Sequence, residues 1–381
     1  MPFFLSFQVD LMARVVIAMS GGVDSSVAAH LLQQQGHEPI GVFMRHGEES
    51  VEACDVTDRS PLLPLLEGRA DHKQGCCSAE DAADARRVAD HLQIPFYALN
   101  LKEDFRGIVD YFVKEYSLGR TPNPCVMCNN WIKFGRLFDY ADSVEAEDVA
   151  TGHYARLDRE AGSATPALRR GLDAGKDQSY VLFGIERPLL DRILLPVGGF
   201  QKSEIRQRAQ EVGLRNASKR DSQEICFVTS GQHGDFVRQQ RGGESLAGEI
   251  TTTSGEVVGQ HEGIERFTIG QRRGIGVALG EPQYVVRIEP ESRRVVIGSR
   301  QQLARQQLRA DRLNWLVDPP QGCFECLAQI RYNSQPQAAR AELVDGGELE
   351  VTFEESCFGV APGQAVVLYQ QDRVLGGGWI L

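Results

Sequence analysis

The chain has no apolar run approaching the about 18 residues that a membrane-spanning helix needs, so no membrane association is expected. It has no cationic excess. Its 41 Lys and Arg stand against 52 Asp and Glu, a formal charge of −11, which excludes broad attachment to nucleic acid but leaves room for a local basic face. A lysine-bearing G-x-x-x-x-G-K-[ST] loop is absent, and so is G-x-G-x-x-G, which removes two common nucleotide-binding readings. The apolar opening MPFFLSF carries no basic leader and is interrupted by Asp10, so no secretory signal is read and the cytoplasm is the expected compartment. Met12 directly precedes the first convincing strand, so residues 1–11 read as a loose extension or a misassigned start. Nine cysteines, an odd number without a secretory signal, disfavour a disulfide scaffold and point to thiol chemistry or metal binding. No internal repeat is evident.

What is present is ordinary for a folded protein: 42% hydrophobic and 24% charged residues, too apolar for disorder. At about 150 residues per domain, 381 residues make two or three domains. Residues 14–18 (RVVIA) predict a buried parallel strand, and residues 24–35 a helix with Val27, Ala28, Leu31 and Leu32 on one face and Gly36 beyond its end. Strands are predicted at 39–44, 95–101 and 148–151. Helices are predicted from a Ser78 cap to about residue 93, with Glu80 and Asp81 near its positive end, and over 105–116. Strand alternating with helix means a parallel α/β sheet. Residues 45–75 are acidic and aperiodic apart from a patch at 62–66, and read as a surface insertion. From Gly248 short alternating strands take over, at 256–260, 283–288, 294–297, 326–332, 348–353 and 364–369. The expected division is an α/β nucleotide-binding domain over 1–215, a small central domain over 216–300 and a C-terminal β-barrel over 301–381.

Between the first strand and the first helix stands Ser20-Gly21-Gly22-Val23-Asp24-Ser25. Glycines allow a tight turn close to a phosphate, amides and the helix N-terminus supply positive dipole, and Ser20, Ser25 and Ser26 add hydroxyls. The stretch resembles the SGGxDS loop of ATP pyrophosphatases, enzymes that cleave between the α- and β-phosphates and adenylate a substrate. That resemblance implies ATP and Mg2+ as cofactors but leaves the acceptor open.

The acceptor question falls to the cysteines. In Thr121-Pro122-Asn123-Pro124-Cys125-Val126-Met127-Cys128-Asn129, two prolines rigidify a loop, and Asn129 is expected to cap a helix over 131–140. A thiol at a helix N-terminus gains thiolate character, and Lys133 lies one turn further on. Cys226 follows far downstream in Ser222-Gln223-Glu224-Ile225-Cys226-Phe227. Together with Thr151-Gly152-His153-Tyr154, Lys176-Asp177-Gln178, Phe267-Thr268-Ile269-Gly270-Gln271-Arg272 and Arg331-Tyr332, these motifs occur in an order similar to that of the tRNA-specific 2-thiouridylases. The resemblance spans nearly the whole chain.

It implies ATP-dependent replacement of the 2-oxygen of the wobble uridine by sulfur, in tRNAs for Lys, Glu and Gln, with a cysteine desulfurase or sulfur-relay protein as donor. Cys128 maps to the family's nucleophile and Cys226 to its persulfide carrier. Ala18, Met19, Ser20, Gly21, Gly22, Val23, Asp24, Ser25, Met44 and Gly152 map to the nucleotide site. Asp24 either steers magnesium or the attacking geometry, or only caps the helix, and Met44 either contacts adenine or fills the core. Asn123, Pro124, Cys125, His153, Lys176, Asp177, Gln178, Arg331, Tyr332 and Gln364 map to the tRNA-contacting set. A basic run, Lys202, Arg206, Arg208, Arg215, Lys219 and Arg220, reads either as a track for a phosphate backbone or as a solvated face. Many family members carry aspartate where this chain has Cys125. The resulting C-x-x-C plus Cys226 resembles the three-cysteine set of tRNA enzymes holding a four-iron, four-sulfur cluster, so a cluster and a two-thiol cycle both stand open. Cys323 and Cys326 form a second C-x-x-C, read with Cys54 and Cys357 as structural or incidental, while Cys76 and Cys77 read either as buried packing or as neighbours of the nucleotide. Two rivals remain: an adenylating enzyme with a nitrogen acceptor, which has no need of Cys128, and a non-catalytic redox or iron–sulfur sensor, which binds nucleotide and RNA without releasing AMP.

Overall fold

A computed structural model describes residues 13–45, 79–159, 162, 165–221, 225–228, 233–344 and 346–381. Residues 1–11, Ser78, Cys54, Cys76, Cys77 and all of the predicted insertion but its first residue lie outside that set. Strand β1 (Arg14–Ala18) buries Val15, Val16 and Ile17 completely, as a β-branched run covered on both faces must. Helix α1 (Val23–Gln34) turns Val27, Ala28, Leu31 and Leu32 inward, and Gly36, at φ 89°, follows its end. The alternation continues through β2 (Glu38–Arg45), α2 (Ala79–Leu92), β3 (Phe96–Asn100) and α3 (Lys102–Ser117). A compound helix follows: α4 (Pro124–Met127), a wide π-helical stretch over Cys128–Arg136, and α5 (Leu137–Ser143). Next come β4 (Asp148–Ala150), β5 (Ala155–Asp158), β6 (Ala167–Arg170), β7 (Ile193–Leu194), α6 (Lys202–Glu211) and α7 (His233–Gln240).

Strands β3-β2-β1-β4-β7 form one sheet in which every pairing is parallel. The chain runs from β1 to β2 on one side and reaches β4 on the other. The carboxyl ends of β1 and β4 therefore flank the crevice where open α/β sheets bind ligands.

The middle of the chain carries β8 (Gly248–Thr252), β9 (Val257–His261), β10 (Tyr284–Glu289) and β11 (Arg294–Gly298), in the order β10-β11-β8-β9 around a small core of Ile250, Ile264, Val285 and Ile297. The last part forms a closed barrel of β12 (Ala304–Trp315), β13 (Phe324–Gln329), β14 (Gln337–Val344), β15 (Glu348–Phe358), β16 (Ala365–Gln370) and β17 (Arg373–Ile380). Pairing of β12 with both β15 and β17 closes it. The β5–β6 hairpin, although it follows the nucleotide-domain strands, joins the edge of this sheet through β17. One apolar core runs without a break from Val16, Phe105 and Ile132 to Val367 and Trp379. The barrel therefore supports the first domain directly. Thr121 donates its backbone N–H to Pro362 at 2.8 Å, and the Gln364 amide donates to the carbonyls of Thr121 and Pro122 at 3.1 and 3.0 Å. No described helix is long and apolar enough to cross a membrane.

Candidate active site

The loop after β1 holds its shape by short-range hydroxyl bonds. Ser25 Oγ accepts from Ser20 N at 3.2 Å, and the Ser26 hydroxyl donates to Gly22 O at 2.8 Å. Two glycines are needed for close approach. Gly21, at φ 72°, sits where a Cβ would lie 2.3 Å from Asp81 O, at the start of α2. A Cβ on Gly152, in the turn after β4, would lie 2.7 Å from Ser25 N. That glycine lets the β4 turn close onto the loop backbone. Of the remaining expected nucleotide residues, Ala18, Met19 and Val23 bury their side chains, while Met44, half-buried at the end of β2, packs against the large core.

A network of charges braces the loop from behind. Asp24 receives Lys202 Nζ on both carboxylate oxygens at 2.8 Å and the Tyr154 hydroxyl at 2.7 Å. Lys202, at the first position of α6 and buried, also pairs with Asp221 at 2.7 Å; Asp221 in turn takes Lys176 at 2.7 Å and Arg206 at 3.4 Å. Desolvation pushes the Asp221 carboxyl up, but hydrogen bonds from Lys176 and Lys202 outweigh it and hold the group below the usual carboxylate range. Lys219 pairs with Asp81 and Asp84 and donates to Gly21 O at 3.3 Å, while Asn216 donates to Gly21 O at 3.1 Å and to Ser26 Oγ at 2.9 Å. Lys202, Arg206 and Lys219 therefore do not present the basic track read from the sequence; desolvated cations beside carboxylates are held by those carboxylates. Arg208 stacks on Phe200 at 4.6 Å, leaving Arg215 and Arg220 as the exposed members of the run.

The thiol helix also departs from expectation. It begins at Pro124, with the Asn123 side chain accepting Val126 N at 3.3 Å. Proline fits the first helical position, where its missing N–H costs nothing, and asparagine is a favoured cap. Asn129 is no cap: it is buried, and its amide donates to Val181 O at 2.9 Å. Cys125 thus occupies the second helical position and is exposed, whereas Cys128 sits a turn later, half-buried, where the helix widens. The dipole acts on Cys125 more directly than on Cys128. Cys226 is also half-buried and packs against the same core as Cys128. Its neighbour Phe227 anchors it edge-on against Phe105 and Phe112, with centroids at 5.4 and 5.1 Å.

The residues expected to contact tRNA divide sharply. Cys125 and Tyr332 are exposed, and the Tyr332 hydroxyl pKa is raised first by partial burial and then by the Asp177 carboxylate and other nearby acidic groups. The rest point their polar atoms inward. Asp177 accepts from Gly171 N and Ser179 N at 3.0 Å, Gln178 from Tyr154 N at 3.0 Å, and Lys176 is held by Asp221. Arg331 donates to Ile269 O and Gly359 O at 2.6 and 2.7 Å, tying the central region to the barrel. Asn123 and Pro124 are buried, and Gln364 clamps the thiol loop as described. His153 is buried too: Nδ1 and Thr151 Oγ1 lie 2.7 Å apart, and Lys133 Nζ lies 3.3 Å from Nε2. An ammonium has only protons to give, so Nε2 accepts and Nδ1 carries the hydrogen. Burial first, and then the Lys133 charge, hold His153 well below the usual histidine range, so it is neutral at pH 7.

Neither expected metal group meets a ready cage. Among the described residues no three His, Cys, Asp or Glu side chains converge to hold a metal ion. Of the three thiols expected for a cluster, Cys125 is exposed, while Cys128 and Cys226 are half-buried and pack against the core. Asp24 is committed to Lys202 and Tyr154; magnesium carried in by nucleotide phosphates needs no such cage. Of the second C-x-x-C, Cys323 is exposed and Cys326 is buried, its thiol pushed up to about 12 by burial and by Cys323. Tyr154, Lys202, Asn216 and Asp221 shape the loop although none stands near it in sequence; no local pattern marks them as its partners.

Three family models cover the chain. Residues 13–230 match a tRNA methyl transferase HUP domain, 234–299 a tRNA methyl transferase PRC-barrel domain, and 305–380 an aminomethyltransferase beta-barrel domain. The chain is similar to the tRNA-specific 2-thiouridylase MnmA of Rhodopirellula baltica, 58% identical over 387 residues that cover 97% of this chain and 96% of that protein. The proteins of the same name from Geotalea uraniireducens and Carboxydothermus hydrogenoformans are 45% and 44% identical, each across 96% of this chain and 94% and 97% of their own lengths.

Proposed function

The chain belongs to the tRNA-specific 2-thiouridylase family, and we propose that it uses ATP to adenylate a tRNA uridine at the 2-oxygen and then replaces that oxygen with sulfur. It is a tRNA sulfurtransferase. Two of the matching models are described in terms of methyl transfer; relatives that align end to end favour sulfur transfer, as does a core against which both Cys128 and Cys226 pack. The observation that carries the reading is the junction of the two halves. Lys133 on the thiol helix reaches His153, and the adjacent Gly152 abuts Ser25 of the loop, which supports a reading in which phosphate and thiol chemistry work side by side.

In this reading the 20–25 loop takes the β- and γ-phosphates, and the uracil 2-oxygen attacks the α-phosphate, releasing pyrophosphate. The terminal sulfur of a persulfide on Cys226 then attacks C2, and AMP departs. The Cys128 thiolate attacks Cys226 Sγ, breaking the S–S bond and leaving the outer sulfur on C2 as the thiocarbonyl. A Cys128–Cys226 disulfide results, which an external thiol reduces before a sulfur-donor protein reloads Cys226. The uridine must leave its stack to reach this crevice, and exposed Tyr332 offers a ring beside Cys125. The experiment is direct: purified protein, unmodified tRNA, ATP and a persulfide donor should yield 2-thiouridine with AMP and pyrophosphate. AMP-free thiolation, or no product on any tRNA, contradicts the reading.

A further inference from the structure

We propose that Lys133 is the phosphate-binding cation that the glycine loop itself lacks, giving its ammonium to a phosphoryl oxygen of the bound nucleotide. The inference rests on the functional reading above and adds a residue to its nucleotide site.

The loop contains no lysine, unlike the lysine-bearing phosphate loops, and so draws cationic charge from elsewhere in the fold. The lysines behind it are already neutralised. Lys202 lies between Asp24 and Asp221, Lys219 between Asp81 and Asp84, and Lys176 against Asp221. Lys133 is the exception. It is half-buried, its side chain bonds to His153 Nε2 at 3.3 Å, and among the described residues no carboxylate pairs with it. A desolvated cation whose partner is a neutral imidazole keeps its full charge available for an incoming anion. The imidazole takes one N–H and leaves the others to donate.

The place is right for a nucleotide. Gly152, at the carboxyl end of β4, packs onto the backbone of Asp24 and Ser25, and the very next residue, His153, carries the imidazole that holds the ammonium. The Thr151–His153 bond, and the Phe134 ring against the imidazole at 6.2 Å, fix the acceptor that holds it.

The test is a set of equilibrium titrations with magnesium present, using ATP, adenosine and unmodified tRNA, on the wild type, Lys133→Met and Lys133→Arg. A charge-assisted hydrogen bond to phosphate predicts that Lys133→Met weakens ATP by about ten- to a hundredfold. Adenosine, which lacks phosphate, should bind as before, and Lys133→Arg should recover much of the ATP loss. Unchanged ATP affinity in Lys133→Met overturns the proposal. Equal weakening of ATP and adenosine overturns it as well, by showing a folding defect, and weakening of tRNA alone assigns the ammonium to the RNA backbone. A wild-type chain that binds neither ATP nor adenosine overturns the functional reading, and this inference with it.

Discussion

The loop after β1 and the thiol helix are linked through the adjacent Gly152 and His153, yet they are stabilised in opposite ways. Behind the loop every buried or half-buried lysine is matched by carboxylates: Lys202 by Asp24 and Asp221, Lys219 by Asp81 and Asp84. Such a cradle is rigid and internally neutral, suited to holding a polyphosphate through backbone amides. The thiol helix carries an exposed Cys125, a half-buried Cys128 where the helix widens, and a lysine held by a neutral histidine. Wide turns of this kind are common at functional sites. Under the proposed function the difference separates two jobs: one side would be preorganised for binding, while the other would keep charge and thiols available for reaction.

Substitutions can break that comparison in order of expected effect. Changing Cys226 to Ser should lower thiolation by at least about a thousandfold while leaving ATP binding intact, because the loop does not use the thiol; product analysis by mass spectrometry of digested tRNA checks it. Lys202→Met strips a buried partner from two carboxylates and should cost about 3–5 kcal/mol of stability, read as a lower urea midpoint. Gly152→Ala pushes a methyl to 2.7 Å from Ser25 N, so the loop must yield. A loss of about 1–3 kcal/mol is expected, with weaker ATP binding in direct titration. Removing the cap with Asn123→Ala should cost about 1 kcal/mol and loosen the helix carrying Cys125, visible as faster amide exchange there.

A pH series sharpens the contrast further. His153 is neutral in the folded state because burial lowers its pKa, whereas the unfolded chain protonates it near pH 6.5. The unfolded state therefore binds the extra proton first, and the stability His153 supplies is full above about pH 6.5 and drains as pH falls below it. Asp221 behaves differently: its folded pKa is depressed, so its contribution persists above about pH 4 and is lost only in stronger acid. The urea midpoint of His153→Gln should thus approach that of the wild type between pH 6.5 and 5, while that of Asp221→Asn should not.

The α/β sheet was legible because its strands are short β-branched runs and its loop is a contiguous motif. Strand β17 was not. Its Gly376-Gly377-Gly378 run hides a central strand, and the reason is tertiary: Cβ atoms there would meet Asn314 O at 2.3 Å, Val366 O at 2.4 Å and Leu313 at 2.4 Å. The β5–β6 hairpin escaped for a similar cause, since its partner β17 is some two hundred residues away in sequence. At the site, the motifs of Ser20 to Ser25 and of Cys128 and Cys226 are contiguous and stand out in the sequence, whereas Lys202 read as one more surface cation. Nothing near it in sequence reveals Asp24 as its partner, and Asn129 looked like a cap only because Asn123 and Pro124 were read as loop.

The central claim is that adenylation and sulfur transfer are separable, with the loop performing the first and the thiols the second. The most direct measurement is a single-turnover reaction of Cys128→Ser with α-phosphate-labelled ATP, unmodified tRNA and a persulfide donor. The account predicts release of pyrophosphate and labelled AMP at the wild-type rate, with the tRNA held as a disulfide-linked adduct on Cys226 and no free 2-thiouridine. Loss of pyrophosphate release along with thiolation, or 2-thiouridine formed at the wild-type rate without Cys128, would contradict it.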